Sequence, residues 1–307
     1  MDETVDIALL EYPGAQEAAL LGLSDLFEIA NQPDRPQLRV TRWRAEGDHL
    51  MPADEASTPA VIIIPSGKQG PVTSEVARPF VPGLQRLHAS GTTLASVCVG
   101  AFILGETGLL AGRAATTHWG AAEAFRTRFP KVALDVDRLI IDDGDIITAG
   151  GMMAWTDLGL KLVDRYLGTA AMMAIAGTLL IDPPGREQQY YSSFVPTLNH
   201  GDAPVLRVQH WLHAEFAADI TLAEMAEKSG LEERTFLRRF RKAMGMTATE
   251  YLQRFRVNKA REMLQFGAHP IEAIAESVGY KDASAFRKVF ISIVGLTPSE
   301  YRRRFRA

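Results

Sequence analysis

The C-terminal third of the chain is a duplication. Leu222, Ala226 and Gly230 recur 49 positions later as Ile271, Ala275 and Gly279. Phe236, Phe240, Gly245, Thr247, Tyr251 and Phe255 recur 50 positions later as Phe286, Phe290, Gly295, Thr297, Tyr301 and Phe305. The one-residue change of offset falls between Gly230 and Phe236, in a turn, where an insertion is tolerated. Each copy reads as a short helix, a tight turn at glycine and a second helix rich in Arg or Lys. This is the pattern of tandem helix-turn-helix units, whose second helices can enter neighbouring stretches of a major groove.

A chain of 307 residues holds about two domains at roughly 150 residues each, and their charges differ in sign. From Pro204 onward 18 Lys and Arg stand against 12 Asp and Glu, a net +6; the preceding residues hold 15 against 25, a net -10. A polyanionic partner is therefore expected for the C-terminal domain alone. The single cysteine, Cys98, excludes an internal disulfide framework and a cysteine-rich zinc site. The segment 1–12 is acidic and lacks the pattern of a signal peptide, and the longest apolar-rich run, 170–181, is too short to span a bilayer. These features predict a soluble, cytoplasmic protein without membrane association.

Short β-branched runs at 5–11, 38–44, 60–65, 92–97, 113–117, 139–142 and 146–149 alternate with helical patterns at 16–31, 81–90, 99–107, 119–129, 154–167 and 170–181. The run Val61-Ile62-Ile63-Ile64 is apolar throughout, as expected of a strand buried on both faces of a parallel sheet. The alternation predicts a doubly wound α/β N-terminal domain over 1–182. A Pro/Gly-rich linker at 183–203 and an all-α domain at 204–307 follow, with helix-turn-helix units at about 221–245 and 270–295. Helices are predicted at 205–216, 222–229, 233–244, 248–265, 271–278, 283–294 and 298–304. Thr221 and Thr247 are expected N-caps, and Gly230, Gly245, Gly267, Gly279 and Gly295 expected stops.

In the first unit Phe236 and Phe240 lie four apart and face the core, while Arg234, Arg238 and Arg241 share another face. A guanidinium suits that face because it donates two parallel bonds to a guanine edge or a phosphate. In the second unit Ser284, Arg287 and Lys288 are left for the groove. Arg254, Arg256, Lys259 and Arg261, on the connecting helix, suit packing or phosphate better than bases. Two stretches carry a resemblance: Thr221-Leu222-Ala223-Glu224-Met225-Ala226 through Arg238-Arg239-Phe240, and Ile274-Ala275-Glu276 through Gly295-Leu296-Thr297-Pro298-Ser299-Glu300-Tyr301. They closely resemble the AraC/XylS family of bacterial transcription regulators. The resemblance implies two helix-turn-helix subdomains joined by a long helix at 248–265. It also implies base contacts at Arg234, Leu237 and Arg238 and at Ser284 and Arg287, with promoter or operator DNA as partner. Leu237 departs from the polar residue usual at that point and either meets a thymine methyl or contributes nothing.

Cys98 follows a predicted strand and opens a predicted helix, with Gly100 expected to allow the sharp turn. A thiol at a helix N-terminus meets unsatisfied N–H groups that favour thiolate. His118, after the strand at 113–117, is placed to return beside the thiol, and Gly67 to offer a backbone N–H; strand, turn and helix are what a nucleophile elbow needs. Ser96-Val97-Cys98-Val99-Gly100-Ala101-Phe102, the run to Ala115-Thr116-Thr117-His118-Trp119, Tyr12-Pro13-Gly14 and Ala149-Gly150-Gly151 resemble the class I glutamine-amidotransferase-like superfamily in its PfpI-type branch. Specifically they resemble the GlxA group, in which that flavodoxin-like domain is fused to an AraC-type domain. Enzymes of the superfamily carry an acid on the first helix near the cysteine. Ala19 stands at that position here, with Glu17 on a different helix face, and Pro65-Ser66-Gly67 replaces a Pro-Gly-Gly turn.

The expected function is thus sequence-specific transcription regulation. A pocket of Cys98, Val99, His118 and Gly67 senses a small, nitrogen-containing metabolite, and the α/β domain forms a homodimer. RNA polymerase is a candidate further partner, and no cofactor or metal is expected. Two alternatives are a cysteine-dependent hydrolase or amidase with a DNA-binding tail, and a thiol redox sensor. His210 and His213 have metal-ligand spacing but no third ligand. Met152, Met153, Met172 and Met173 are expected core fillers, and Gly150-Gly151 is too short for a phosphate loop.

Overall fold

The apolar run at 61–64 is buried at every position and lies at the middle of a seven-stranded sheet. The computed structural model describes residues 4–32, 36–47, 49–52 and 57–306, and the chain forms two compact units, Met1–Gln188 and Gln189–Ala307. The sheet belongs to the first. Its strands are β1 (Thr4–Leu10), β2 (Gln37–Glu46), β3 (His49–Pro52), β4 (Val61–Ile64), β5 (Thr93–Val97), β8 (Ile140–Asp142) and β9 (Ile146–Ala149). They lie in the order β3-β2-β1-β4-β5-β9-β8, and β6 (Ala114–Ala115) and β7 (Ala133–Leu134) form a separate pair. The inner five strands are parallel, and the edges β3 and β8 return antiparallel. Winding reverses between β1 and β4, the place where doubly wound sheets open a crevice beyond their strand ends.

Helices α1 (Glu17–Ala30), α6 (Trp155–Leu167) and α7 (Thr169–Leu179) pack as one group, and α2 (Ser74–Ala77), α3 (Val81–Ala89) and α4 (Ala101–Glu106) as another. α5 (Ala122–Arg128) precedes β7. The fold is the expected doubly wound, flavodoxin-like one. Sequence periodicity misses β3, α2 and β7, each of four residues or fewer, too short to repeat a pattern. Met152, Met153 and Met173 are about half exposed and only Met172 is buried, against the expected core role for all four. The first pair lies in the turn before α6, and Met173 on the outer face of α7, where neither has a layer above it.

The second unit is helical: α8 (Ala203–Ala214), α9 (Leu222–Ser229), α10 (Glu233–Met244), α11 (Ala248–Phe266), α12 (Ile271–Ser277), α13 (Ala283–Val294) and α14 (Pro298–Phe305). Two cores divide it. Val205, Val208, Leu212, Met225, Phe236, Phe240 and Tyr251 fill the first; Val257, Leu264, Ile274, Phe286, Phe290 and Tyr301 fill the second. The 19-residue α11 supplies both, with Tyr251 and Leu252 in one core and Val257, Ala260 and Leu264 in the other. Thr221 and Thr297 close capping boxes with Glu224 and Glu300, and Thr247 caps α11. Gly230, Gly245 and Gly295 end their helices in the left-handed conformation. Gly267 ends α11 in an extended conformation instead.

The Pro/Gly-rich segment between the units is anchored at both ends. Arg186 pairs with the buried Asp157, and Glu187 accepts from the Leu139 N–H at 2.8 Å within the first unit. Within the second unit, Arg261 donates to the carbonyls of Tyr190 and Ser192, and Tyr191 packs edge-on against Phe305. Phe194 packs on Tyr251, and Gln209 donates to the Thr197 carbonyl.

Candidate functional site

The C-terminal ends of β1, β4 and β5 bring Tyr12, the Pro65-Ser66-Gly67 turn and Cys98 to the same edge of the sheet. Cys98 holds φ +55°, a left-handed conformation that costs a non-glycine residue about 1–2 kcal/mol. The bend therefore falls on the cysteine itself, and residues 98–100 form a 3-10 turn before α4. Gly100 has a different task from the expected one: a Cβ there would lie 2.4 Å from the Pro65 carbonyl oxygen, so glycine lets the turn approach β4.

The thiol is 2% exposed. Burial pushes its pKa above the ordinary thiol value, against weaker opposing hydrogen bonds from the Ser66 side chain and the Val99 backbone. Burial thus works against the thiolate expected from the place of Cys98 at a helix start. Desolvation outweighs the Ser66 and Val99 hydrogen bonds.

The remaining pocket residues assemble in part. A Cβ on Gly67 would stand 3.4 Å from Val99 and 3.5 Å from the Tyr12 hydroxyl, which places these three together. The Tyr12 hydroxyl donates to the Pro65 carbonyl at 2.8 Å, and burial raises its pKa. Gly67 bridges to Ala15, and the Gln16 N–H bonds to the Ser66 carbonyl. His118 makes no hydrogen bond to Cys98. The link runs through Thr117, whose hydroxyl donates to the Cys98 carbonyl at 2.7 Å. His118 Nδ1 accepts from the Gly120 N–H at 3.0 Å, which leaves Nε2 as the other ring nitrogen, and burial lowers its pKa. Ala19 is fully buried and Glu17 exposed, so no carboxylate of α1 takes the acid's place. The buried Gln16 side chain stands one turn earlier, its Oε1 without a hydrogen-bond partner.

On the helical unit, α10 buries Phe236 and Phe240 and exposes Arg234, Arg238 and Arg241, with Leu237 half-buried between them. None of these three arginine side chains has an ion pair or hydrogen bond among the described residues. Arg239, on the inner side, instead forms a two-pronged pair with Asp202, both bonds 2.9 Å, and Asp202 caps α8. On α13, Ser284, Arg287 and Lys288 are exposed, and Arg287 pairs with Glu272 at 2.5 Å. Along α11, Arg256 and Arg261 are packing residues: Arg256 donates to the carbonyls of Phe216 and Ala218, and Arg261 is buried against Tyr301. His213 stacks on Phe255, and its Nε2 bonds to the Tyr251 hydroxyl.

Residues 47–165 match the DJ-1/PfpI family and residues 225–304 a helix-turn-helix domain. GbdR, a transcriptional regulator of Pseudomonas aeruginosa (strain UCBPP-PA14), is 27% identical over 85% of this chain and 71% of its own length. GlxA, a transcriptional regulator of Rhizobium meliloti (strain 1021), is 28% identical over 72% of this chain and 68% of its own length. The isonitrile hydratase of Pseudomonas putida is 27% identical over 71% of this chain and 99% of its own length. A solved structure from Vibrio parahaemolyticus shares the fold at a TM-score of 0.50 and 18% identity, over 59% of this chain and all of its own. The fold and the matches define a transcription regulator with a helix-turn-helix DNA-binding domain. The chain joins a DJ-1/PfpI domain to an AraC-type domain. Among the described residues no helix is long and apolar enough to cross a membrane.

Tyr12, Ser66, Thr117 and Gln16 were not singled out from the sequence as site residues. Ser66 appears there only as a replaced glycine, and Tyr12 only within a motif. The ends of β1 and β4 bring in Tyr12 and Ser66, the start of α1 brings in Gln16, and the stretch after β6 brings in Thr117.

Proposed function

We propose that the α/β unit senses a small molecule in the crevice around Cys98, Val99, His118 and Gly67, and that the helical unit reads operator DNA through α10 and α13. The observation that carries the DNA reading is the partner-free exposed face of Arg234, Arg238 and Arg241, with Leu237 between them. Three guanidiniums at helical spacing, unneutralised by their own protein, suit phosphates and guanine edges. Ser284, Arg287 and Lys288 form the second, less basic face.

The burial of Cys98, which disfavours its thiolate, and the alanine at position 19 support a binding role over turnover, because acid–base chemistry needs a titrating partner within reach. The strained elbow at Cys98 favours the second reading, a cysteine-dependent enzyme, and the likeness to isonitrile hydratase adds to it. Selecting sites from random DNA with the full chain, and titrating the selected site by fluorescence anisotropy, tests the DNA reading. The Arg238→Ala variant is expected to lose discrimination at one base, whereas equal weakening on every sequence makes Arg238 a phosphate contact. A thermal-shift screen tests the sensor, since binding raises apparent stability by mass action. Turnover of an amide or isonitrile that disappears in Cys98→Ser would establish the enzyme instead. The homodimer through the α/β unit belongs to the same proposal and is read by sedimentation.

A further inference from the structure

Gln188 is the last residue of the α/β unit, and its carboxamide meets four hydrogen-bond partners. It is 2% exposed. Nε2 faces the Thr116 hydroxyl at 3.1 Å, the Thr117 carbonyl at 2.9 Å and the Arg138 carbonyl at 3.1 Å. Oε1 accepts from the Trp119 N–H at 3.1 Å. The carboxamide thus holds the peptide groups on both sides of His118. Thr117 in turn bonds the Cys98 carbonyl at 2.7 Å, and Thr148 of β9 holds the Thr116 N–H at 2.8 Å. The slot exists because residue 150 is glycine: a Cβ there would stand 2.0 Å from Nε2. Gly150 is therefore a space-making residue, which explains its presence where no phosphate loop is built.

We infer that Gln188 is a positioning residue that makes the state of the Cys98–His118 pocket and the anchoring of the departing chain one equilibrium. A ligand that moves the 116–119 loop must strain or release the Gln188 bonds, and the exit of the chain then follows. The inference rests on the reading of that pocket as the sensor. By linkage the coupling runs both ways, so loosening Gln188 changes the pocket even without ligand.

That reverse direction is measurable with the full chain and methyl methanethiosulfonate as the probe of Cys98. Gln188→Met keeps length and bulk and removes every hydrogen bond; Gly150→Ala evicts the carboxamide while leaving Gln188 in the sequence. Both are expected to raise the Cys98 reaction rate at least about threefold and to speed amide exchange in residues 116–120 at least about tenfold. Phe27→Leu, a core change in α1, supplies a destabilised control expected to leave the Cys98 rate at the wild-type value. Unchanged rates in Gln188→Met, or an equal rise in Phe27→Leu, would overturn the inference. A metabolite screen without a hit counts against the sensor reading and leaves these rates as they are, so the two failures are distinguishable.

Discussion

Tyr251 and Tyr301 stand 50 positions apart and hold the same place in the two helical subdomains. Both are fully buried, and both hydroxyls are met by two polar side chains. Gln209 and His213 reach Tyr251 at 3.1 and 2.7 Å, and Arg261 and Gln265 reach Tyr301 at 2.9 and 2.6 Å. The duplication thus preserves a buried polar anchor while exchanging its partners, and in the second copy one partner is a cation.

Removing either hydroxyl strands buried donors, which costs about 1–3 kcal/mol, and more when the group left is charged. Tyr301→Phe is therefore expected to destabilise more than Tyr251→Phe, because Arg261 loses a partner that Gln209 and His213 do not lose as a charge. Urea unfolding of the helical unit within the full chain measures both; equal or smaller loss at Tyr301 would contradict this assignment.

Protonation of His213 is disfavoured by burial first, and then by the nearby His210 and Lys259. Its folded pKa lies below the ordinary value of about 6.5. Above that value both states are neutral and the stability is fully present. As pH falls below it, the unfolded chain takes up a proton that the folded chain resists, and stability declines through the folded pKa. His118, also lowered by burial, adds in the same direction. The melting temperature is expected to fall between about pH 7 and pH 5, less steeply in His213→Gln. The paired carboxylates, such as Asp202 beside Arg239, act only at lower pH because their folded pKa values are depressed.

Affinity for DNA is expected to fall linearly on a log–log salt plot as counterions are released. Arg238→Ala should cost about 1–3 kcal/mol on the selected site, as expected of a base contact. Replacing Arg241, if it meets phosphate, should reduce the salt slope by about 1 with little change of sequence preference. Anisotropy titrations at several salt concentrations separate the two roles.

Gly100→Ala drives a Cβ to within 2.4 Å of the Pro65 oxygen. Backbone cannot yield as a flexible side chain does, so the loss is expected at about 1–3 kcal/mol or above, read by urea unfolding. Wild-type stability in that variant would mean that the turn at Cys98 lies farther from β4.

The helical unit was legible because its signals are local. Thr221, Thr247, Gly230, Gly245 and the Phe pairs mark ends and faces within a few residues of themselves. The α/β site was legible only at Cys98, Gly67 and His118, which lie in recognisable motifs. Tyr12, Ser66 and Thr117 stand in the same stretches, but their contacts with Pro65 and Cys98 are tertiary, which periodicity does not encode. Cys98 itself shows the difference: its place at a helix start is written locally and favours thiolate, while its burial is tertiary and prevails. Gln188 lies in a stretch whose Pro and Gly content says turn and nothing about contacts.

The proposed coupling of pocket to DNA is tested most directly by one titration. The affinity of the full chain for its selected site is measured with and without a ligand found by thermal shift, in the wild type and in His118→Ala. The ligand is expected to change the wild-type affinity at least about tenfold, as a differential affinity of about 1.4 kcal/mol for two states requires, and to change that of His118→Ala far less. A ligand that shifts DNA affinity equally in both proteins would contradict the account.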